Sequence, residues 1–292
     1  MKDILMKVLA CPDCKSVIKY IAKDKLFECP LCRARFDFNN DTPVIFSKNS
    51  QGIKDSGETY YEMGDSTSKI SRIKKFIRKI TKYTNVSVGQ TLHDKLKNKY
   101  IFESTQDSLI LNLGSGTDNI IMRNNVINFD IFPHPNTDIS GDGHYLPFLS
   151  DSFDGVWLCA VLEHLENPFQ VSSEILRVLK PGGFVLVSAP FMYHLHGSPH
   201  DYFRYTDNGL RSVFKSFKEV ECGPTHTLPT GTMIEMLSQY FSIFTNNKIV
   251  IFVISQLVKL LLLPFKFIDL YLKRKSKAVI LSGGFVFLGR KG

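Results

Sequence analysis

The chain has 292 residues, of which 43% are apolar, and this is enough for one sizeable globular core plus a small module or for two modest domains. The net charge of +8 permits an anionic partner, either nucleic acid or a membrane surface, without establishing one. The six cysteines contain no disulfide framework and no sustained apolar run precedes Cys11, which excludes a signal peptide and favours a reducing, cytoplasmic setting.

The first 48 residues contain a metal-binding pattern. Two Cys-x-x-Cys pairs are separated by fourteen residues, and their thiols are those of Cys11, Cys14, Cys29 and Cys32. Each pair makes a tight turn that aims two thiolates at one point, so two pairs complete a tetrahedral Zn2+ site with no open position. The segment lacks the apolar content to fold alone. We therefore predict a structural zinc ribbon over residues 1–48 whose folding depends on the metal.

A connecting segment over residues 49–105 follows. Residues 49–68 are polar and rich in Gly and Ser, which is typical of a linker. In residues 69–82, four isoleucines recur at helical spacing among seven Lys and Arg side chains. This pattern predicts a basic amphipathic helix that lies on an anionic membrane surface, contacts RNA, or covers the core with a solvated outer face. The last of these, a helix that covers the core, is the default interpretation.

The third segment, residues 106–292, alternates apolar strands with helical patterns. An apolar run from Leu109 stops at Gly114-Ser115-Gly116, which predicts a buried strand and a tight turn that a ligand can approach. A second apolar run ends in Asp130, whose carboxylate can take both hydroxyls of a ribose at the end of a parallel strand. The alternation predicts an α/β fold with a doubly wound, mostly parallel, Rossmann-like sheet.

Further strands and helices continue this alternation. Residues 153–160 predict a strand, and residues 174–180 predict a helix that Pro181-Gly182-Gly183 ends before another strand. Thr206 is predicted to cap a helix over 207–217. Residues 217–222 and 278–289 are predicted to form the last two strands.

The order of these blocks resembles the class I S-adenosylmethionine-dependent methyltransferases. The subgroup that it resembles carries motifs that stand here as Leu146-Pro147-Phe148, Leu162-Glu163-His164 and Leu179-Lys180-Pro181-Gly182-Gly183. The resemblance implies a cofactor site made of Gly114, Ser115, Gly116, Asp130, Ile131, Asp142, Gly143, His144 and Ala160. In it the two glycines pass under the methionine part, Asp130 holds the ribose, Asp142 accepts from the adenine amino group, and Ala160 flanks the sulfonium. For His164 a structural role is favoured.

Two other features bear on this resemblance. Asn119 stands where a dinucleotide-binding Gly-x-Gly-x-x-Gly motif has its third glycine, and the spacing to Asp130 is short, which ranks NAD well below S-adenosylmethionine. The N-terminal segment is similar to the zinc-ribbon activator proteins that partner methyltransferases. Here such a ribbon would be fused to the enzyme.

A histidine-rich loop follows Pro190, at the edge of the sheet where a substrate is expected. Its polar residues include His194, His196, His200, Asp201 and Arg204. Methyl transfer to a hydroxyl needs an aligned acceptor and a base, and His200 is the first choice, with Asp201 orienting it or binding the acceptor. His194 and His196 are alternative bases. Arg204 and Tyr205 are predicted to bind substrate. The other interpretation is a loop held by its own hydrogen bonds, with Arg204 paired to Asp201.

The two predicted last strands are separated by a helical, apolar insertion over about 224–277. Its centre, residues 249–265, is mostly apolar but interrupted by Gln256, Lys259 and Pro264, so that crossing a membrane is marginal. A surface-lying helix, an oligomer interface and a cap over the active site are the alternatives. Several lysines in the insertion would suit anionic lipid headgroups.

The favoured hypothesis is O-methylation of a small-molecule or glycan acceptor, in particular a sugar or lipid-linked glycan. The protein would be cytoplasmic and peripheral to the inner face of the membrane, which it would contact through 69–82 and 249–277. Segments similar to the histidine-rich loop in methyltransferases encoded near surface-polysaccharide genes point to a sugar. One alternative is RNA methylation, with the ribbon docking the RNA. Another is a catalytically degenerate scaffold, against which the intact Asp130 and Asp142 weigh.

Overall fold

The computed structural model of the chain describes residues 3–50, 91–103, 108–116, 124–196, 200–225 and 228–292. The predicted linker, the basic helix of 69–82 and the segment directly after Gly116 lie outside these residues.

The N-terminal segment begins with helix α1 (Asp3–Val8). Strands β1 (Lys19–Ile21), β2 (Leu26–Glu28) and β3 (Arg35–Phe36) then form a three-stranded antiparallel sheet. A hairpin of β4 (Phe38–Asn39) and β5 (Thr42–Ile45) follows. This hairpin leaves the ribbon, because β5 pairs in parallel with a strand of the main sheet.

The main sheet continues through seven further strands. They are β6 (Ile110–Leu113), β7 (Val126–Asp130), β8 (Ile139–Gly141), β9 (Phe153–Cys159), β10 (Leu179–Pro190), β11 (Lys218–Pro224) and β12 (Gly284–Arg290). Over the described residues the order across the sheet is β11-β12-β10-β9-β6-β7-β8-β5-β4. The pairings from β5 to β10 are parallel, and those at the two edges are antiparallel. The predicted doubly wound, mostly parallel sheet is therefore confirmed.

Strands β6 and β10 are buried on both faces. Successive residues of β6 point to opposite sides, so that Ile110 packs in one apolar cluster and Leu111 in another. One face is covered by helix α2 (Leu92–Lys97), which continues as a π-helical turn through Asn98–Phe102. The other face packs against helices α3 (Pro168–Val178) and α4 (Asp207–Val213) and against the ribbon.

Three boundaries differ from the sequence-based expectation. Helix α3 begins at Pro168, six residues before the predicted start, with Asn167 capping it by accepting from the Gln170 amide. The Pro181-Gly182-Gly183 segment is extended and belongs to β10, with Gly182 at a positive φ of 76°. Helix α4 ends at Val213 rather than at residue 217, although its predicted cap is confirmed: the Thr206 hydroxyl accepts from the Gly209 amide at 3.0 Å.

The insertion between β11 and β12 is helical. It consists of α5 (Pro229–Tyr240), a 3-10 turn (Phe241–Phe244), α6 (Lys248–Leu261), a 3-10 segment (Leu263–Ile268), α7 (Asp269–Leu272) and a 3-10 segment (Ser276–Leu281). The last of these occupies residues that were predicted to begin the final strand. In the described part of the chain no single helix meets the length and apolarity needed to cross a membrane. The pair Ile249–Leu261 and Leu263–Leu272, bent by 54°, meets them only when taken together.

The strand order creates a cleft. From β6 the chain proceeds to β7 and β8 on one side, whereas β9 and β10 lie on the other side. In open α/β sheets ligands bind where the direction reverses, outside the carboxyl ends of the strands. Gly114 follows the carboxyl end of β6 and Ala160 that of β9, so the fold places both at this point.

Candidate active site

A cavity of about 540 Å3 opens at this reversal point. Of the nine predicted cofactor residues, Ser115 alone does not line it. Those that do are Gly114, Gly116, Asp130, Ile131, Asp142, Gly143, His144 and Ala160. Ser115 is buried beneath the turn, where its amide donates to the Phe129 carbonyl at 3.1 Å. Four strand ends, far apart in sequence, thus converge on one concave surface, which is the usual form of a small-molecule site.

The glycine turn requires its glycines. Gly114 and Gly116 have φ values of 75° and 57°, in the left-handed region that side chains resist. A Cβ built on Gly114 would lie 2.2 Å from Cγ2 of Val161. The absence of a side chain therefore lets the loop after β9 close against the loop after β6, and both loops line the cavity.

Asp130 joins the glycine turn after β6 to the loop after β7. One carboxylate oxygen accepts from the Gly116 amide at 2.7 Å, and the other accepts from the Phe132 amide at 3.0 Å. The side chain is 7% exposed and faces the cavity. A carboxylate oxygen can accept two hydrogen bonds, so each Asp130 oxygen can still accept one from a hydroxyl group of a ligand.

Asp142 and His144 form a second acidic point. The Asp142 carboxylate accepts from the His144 amide at 2.9 Å and from its Nδ1 at 2.7 Å, and it caps the turn Gly143–Tyr145. Burial raises the pKa of Asp142, but these hydrogen bonds outweigh it and hold that pKa below its usual value. The Asn167 amide donates to Nε2 of His144 at 3.1 Å, so the Nδ1 atom carries the proton. The network keeps Asp142 ionised and oriented.

The histidine-rich loop contributes unequally to the cavity. His200 and Tyr202 line it, with their ring centroids 5.6 Å apart. The other predicted catalytic residues, His194, His196 and Asp201, lie outside the lining, as do the predicted substrate-binding residues Arg204 and Tyr205. Of the three candidate bases, His200 is thus the one that lines the cavity.

Asp201 does not orient His200, contrary to one sequence-based expectation. Its carboxylate takes a two-pronged contact from Arg204, with Nη2 at 2.6 Å from Oδ2 and Nη1 on the other oxygen, and it accepts from the His196 amide at 2.8 Å. The Arg204 hydrogen bonds lower the pKa of Asp201. Arg204 also donates to the backbone carbonyls of Tyr193 and His194. This pair holds the loop in shape, as the alternative interpretation of the loop had it.

Tyr205 is a core residue. It is 5% exposed, and its hydroxyl donates to the Leu162 carbonyl at 3.1 Å. Burial raises its pKa. The side chain therefore anchors the start of α4 to the turn after β9, a position that sequence reasoning had taken for a substrate contact.

Sequence reasoning assigned no role to Glu163 and only a structural role to His164. Both residues sit in a 3-10 turn (Leu162–His164) directly after β9. Glu163 is fully buried, and burial raises its pKa to about 7. His164 lines the cavity, and burial lowers its pKa. The available signal was an acidic residue beside a histidine within an otherwise apolar run.

The four ribbon cysteines converge as predicted. The Sγ atoms of Cys11 and Cys32 are 3.5 Å apart, those of Cys14 and Cys29 are 3.4 Å apart, and all four lie within 4.8 Å of one another. Zn–S bonds of about 2.3 Å in a tetrahedron place sulfurs about 3.8 Å apart. The residues that follow the two pairs, Lys15 and Arg33, both have positive φ, which gives the two turns the same shape. The donor set and its geometry fit a structural Zn2+ ion.

Comparisons with known proteins find similarity in the central stretch of the chain. Residues 114–187 match the family model described as a methyltransferase domain. A 71-residue part is 39% identical to an uncharacterized methyltransferase of Mycobacterium tuberculosis, and this match covers 23% of the present chain and 28% of the relative. The chain thus spans less than a third of the length of the curated relatives that it matches.

Solved structures are more distant. Phosphoethanolamine N-methyltransferase 2 of Haemonchus contortus, in complex with S-adenosyl-L-methionine, is 16% identical, with 84% of this chain and 61% of that chain covered at a TM-score of 0.44. The 1,6-didemethyltoxoflavin-N1-methyltransferase of Burkholderia thailandensis is 13% identical, with 82% and 86% covered at a TM-score of 0.40.

Proposed function

We propose that the protein, whose residues 114–187 match the family model of a methyltransferase domain, transfers the methyl group of S-adenosylmethionine to a hydroxyl of a sugar or lipid-linked glycan at a membrane surface. The observation that carries the proposal is the single cavity in which the glycine turn, Asp130, Asp142 and His200 meet.

The cavity offers partners for each part of the cofactor. Asp130 faces the cavity at the carboxyl end of β7, where it can accept from the ribose hydroxyls. Asp142, held ionised by His144, can accept from the adenine amino group. Gly114 and Gly116 leave room for the methionine part. Ala160, at a φ of 54°, marks the end of β9 beside the expected position of the sulfonium.

Methyl transfer is an in-line displacement, and S-adenosylmethionine supplies a methyl carbon on a positively charged sulfur. The acceptor oxygen forms a bond to that carbon while the carbon–sulfur bond breaks and its electron pair returns to sulfur. His200 lines the cavity and takes the proton that leaves the acceptor hydroxyl. The loop that carries His200 is tied to the turn after β9, since the Tyr202 amide donates to the Glu163 carbonyl at 2.8 Å.

The insertion supports a membrane-associated acceptor. Ile243, Phe244 and Leu261 are 75%, 72% and 74% exposed. Lys259, the charge that interrupts the apolar run, turns inward: its side chain is 16% exposed and lies 2.7 Å from Glu235. Lys273 in the same insertion is also exposed, so the insertion offers both apolar side chains and positive charge to the solvent. This combination suits an anionic bilayer better than RNA, which would leave the apolar side chains uncovered.

The remaining parts of the proposal concern setting and stability. We take the ribbon as a structural Zn2+ site and the protein as cytoplasmic and peripheral to the inner face of the membrane. Self-association through the insertion is the competing explanation of the exposed apolar surface, and the oligomeric state in the presence and absence of vesicles separates the two.

The test is transfer of label from S-adenosylmethionine into two cell fractions, RNA and lipid-linked glycan. The purified chain should label the glycan fraction. Asp130→Ala should abolish labelling and weaken cofactor binding, because the carboxylate that joins the Gly116 amide to the ribose site is lost. The matched control is Asp24→Ala, which removes an exposed turn carboxylate far from the cavity and should leave labelling unchanged.

Three other experimental outcomes would change the proposed function. Label in RNA alone overturns the acceptor class and makes the basic segments the docking surface. Calorimetry that detects no S-adenosylmethionine binding overturns the enzyme and supports a scaffold. His200→Ala should lose turnover while cofactor affinity stays near normal, and unchanged turnover removes His200 as the base.

A further inference from the structure

Three side chains converge between the turn after β9 and the loop after β10. They are Glu163, His164 and His196, and one ligand atom from each lies within 4.8 Å of the others. The Glu163 carboxylate is fully buried, yet neither of its oxygens has a hydrogen-bond partner among the described residues. A buried carboxylate without a donor is costly, so this cluster requires a physical explanation.

The two histidines present the same nitrogen to Glu163. Nδ1 of His164 lies 2.5 Å from the His200 carbonyl oxygen. Nδ1 of His196 lies 3.3 Å from the His194 carbonyl oxygen and 3.4 Å from Oδ2 of Asp201. Carbonyl and carboxylate oxygens only accept, so Nδ1 carries the proton in both rings. When such a ring is neutral its Nε2 lone pair is therefore free, and both Nε2 atoms face the same Glu163 oxygen.

This arrangement brings three electron-rich groups together. Nε2 of His196 lies 3.5 Å from Oε1 of Glu163, and Nε2 of His164 lies 3.8 Å from the same oxygen. With neutral rings no proton stands between these atoms. The Arg204 guanidinium attracts the Glu163 carboxylate at longer range, but it donates its hydrogen bonds to Asp201 and to backbone carbonyls, so no donor among the described residues reaches either Glu163 oxygen. A positive ion at the centre would satisfy all three groups at once.

The geometry points to a metal ion. We propose that Glu163, His164 and His196 form a second metal site that takes Zn2+ or a similar divalent transition ion. Metal–ligand distances of about 2.0–2.1 Å in a tetrahedron place neighbouring ligand atoms about 3.4 Å apart, close to the separations found here. The Nδ1 hydrogen bonds of His164 and His196 to backbone carbonyls are the kind of contact that orients metal-binding imidazoles and fixes their tautomer.

The site would occupy a defined place relative to the cavity. His164 lines the cavity, and the backbone of His200 holds its Nδ1. The ion would therefore join the turn after β9 to the histidine-rich loop directly beside the proposed base. With two imidazoles and one carboxylate, a fourth position stays open for water or an acceptor oxygen. The proposal stands on these contacts alone and holds for any methyl acceptor.

The test is the metal stoichiometry of the full chain with its ribbon occupied by zinc. Titration with Co2+ should load about one further equivalent and produce the visible d–d bands of a nitrogen and oxygen site, without the thiolate charge-transfer bands that a cysteine site gives. Glu163→Gln keeps the shape of the buried side chain and should weaken Co2+ binding at least tenfold. His196→Gln, whose ring is partly exposed, should do the same and guards against a folding defect in the Glu163 variant.

His200→Gln is the matched control, because it changes a neighbouring histidine but keeps the carbonyl that holds His164. It should bind Co2+ as the unmodified chain does. The proposal is overturned if the zinc-loaded chain binds no further Co2+, or if Glu163→Gln and His196→Gln retain the second equivalent. Co2+ binding that raises the melting temperature of the unmodified chain but of neither variant supports it.

Discussion

The sheet carries one appended segment at each edge, and the two segments treat apolar side chains in opposite ways. At one edge the ribbon is continuous with the core: Leu5, Phe27 and Ile45 are fully buried in the same cluster as Phe129. At the other edge the insertion leaves its apolar residues outside. The large apolar side chains that the described residues expose are concentrated in 233–281.

The apolar side chains of the ribbon thus extend the core of the sheet, whereas those of the insertion form an exposed surface. The ribbon is too small for a core of its own and shares that of the sheet, to which β5 is joined through Val44 and Ile45 opposite Ser140 and Gly141. The insertion has its own internal polar contacts, such as Asp269 at the start of α5, but directs apolar residues to the surface. One segment extends the core of the sheet, whereas the other leaves its apolar side chains on the surface.

The largest effect is expected from loss of the Zn2+ ion that we propose for the ribbon. Structural zinc sites in small domains contribute about 10–16 kcal/mol of apparent binding free energy. We expect Cys29→Ser, or chelation, to expose the amides of β2 and β5 to hydrogen exchange and to lower the melting temperature of the whole chain. Cys222→Ser, outside the ribbon, should leave exchange in β5 unchanged. Unaltered protection after complete chelation would refute the zinc site.

The next prediction compares two isoleucines. Ile45 on β5 is fully buried, whereas Ile280 in the insertion is 63% exposed. Ile45→Ala should lower the free energy of unfolding by about 2–4 kcal/mol, because it leaves a cavity at the joint between ribbon and sheet. Ile280→Ala should change it by less than about 0.5 kcal/mol. Urea denaturation measures both, and equal losses would contradict the assignment of the insertion surface as solvent-facing.

A smaller effect is expected inside the insertion. Asp269 is 1% exposed, and its carboxylate oxygens accept from the amides of Thr230 and Gly231 at 2.9 Å each. Asp269→Ala should cost about 1–3 kcal/mol, since it leaves both donors of α5 unpaired. Hydrogen exchange should rise in α5 but not in β5. Exchange that rises equally in both would show that the two edges unfold together.

The smallest effect on stability should accompany a large effect on binding. Replacing Phe244 and Leu261 by serine should change the free energy of unfolding by less than about 0.5 kcal/mol. The same double variant should bind vesicles of neutral and anionic phospholipid at least about tenfold more weakly, because about 1.4 kcal/mol or more of apolar burial is lost. Leu31→Ser is the control, since Leu31 is 71% exposed on the ribbon. If the unmodified chain, the double variant and Leu31→Ser all bind vesicles equally, membrane binding is no longer part of the proposed function.

Several predicted site residues have positions that are set by their immediate neighbours in the sequence. A glycine at a positive φ, an acid at the end of an apolar run and two closely spaced thiols are local patterns. Hence Gly114, Asp130, Asp142 and the ribbon cysteines lie where the patterns indicated. Each needs only a strand end or a tight turn, and both are encoded within a few residues.

The histidine-rich loop behaves differently, because its partners come from other elements. The order of its histidines does not indicate that His196 faces Glu163 while His200 faces the cavity. Nor does it show that Tyr205 reaches the Leu162 carbonyl, whereas the pairing of Arg204 with Asp201 was one of the two interpretations of the loop. Here several polar groups compete for the same acceptors, and the outcome depends on which of them the turn after β9 meets.

Periodicity and short-range geometry specify the alternation of strands and helices, the glycine turn after β6, the acidic strand ends and the cysteine pairs, and these could be predicted from the sequence. Three features could not be predicted in this way: β5 extends the main sheet, the insertion exposes its apolar face, and Glu163 lies buried between two histidines. These features arise from contacts between segments up to about a hundred residues apart, and such pairings are chosen by the packing of the whole sheet rather than by any local preference.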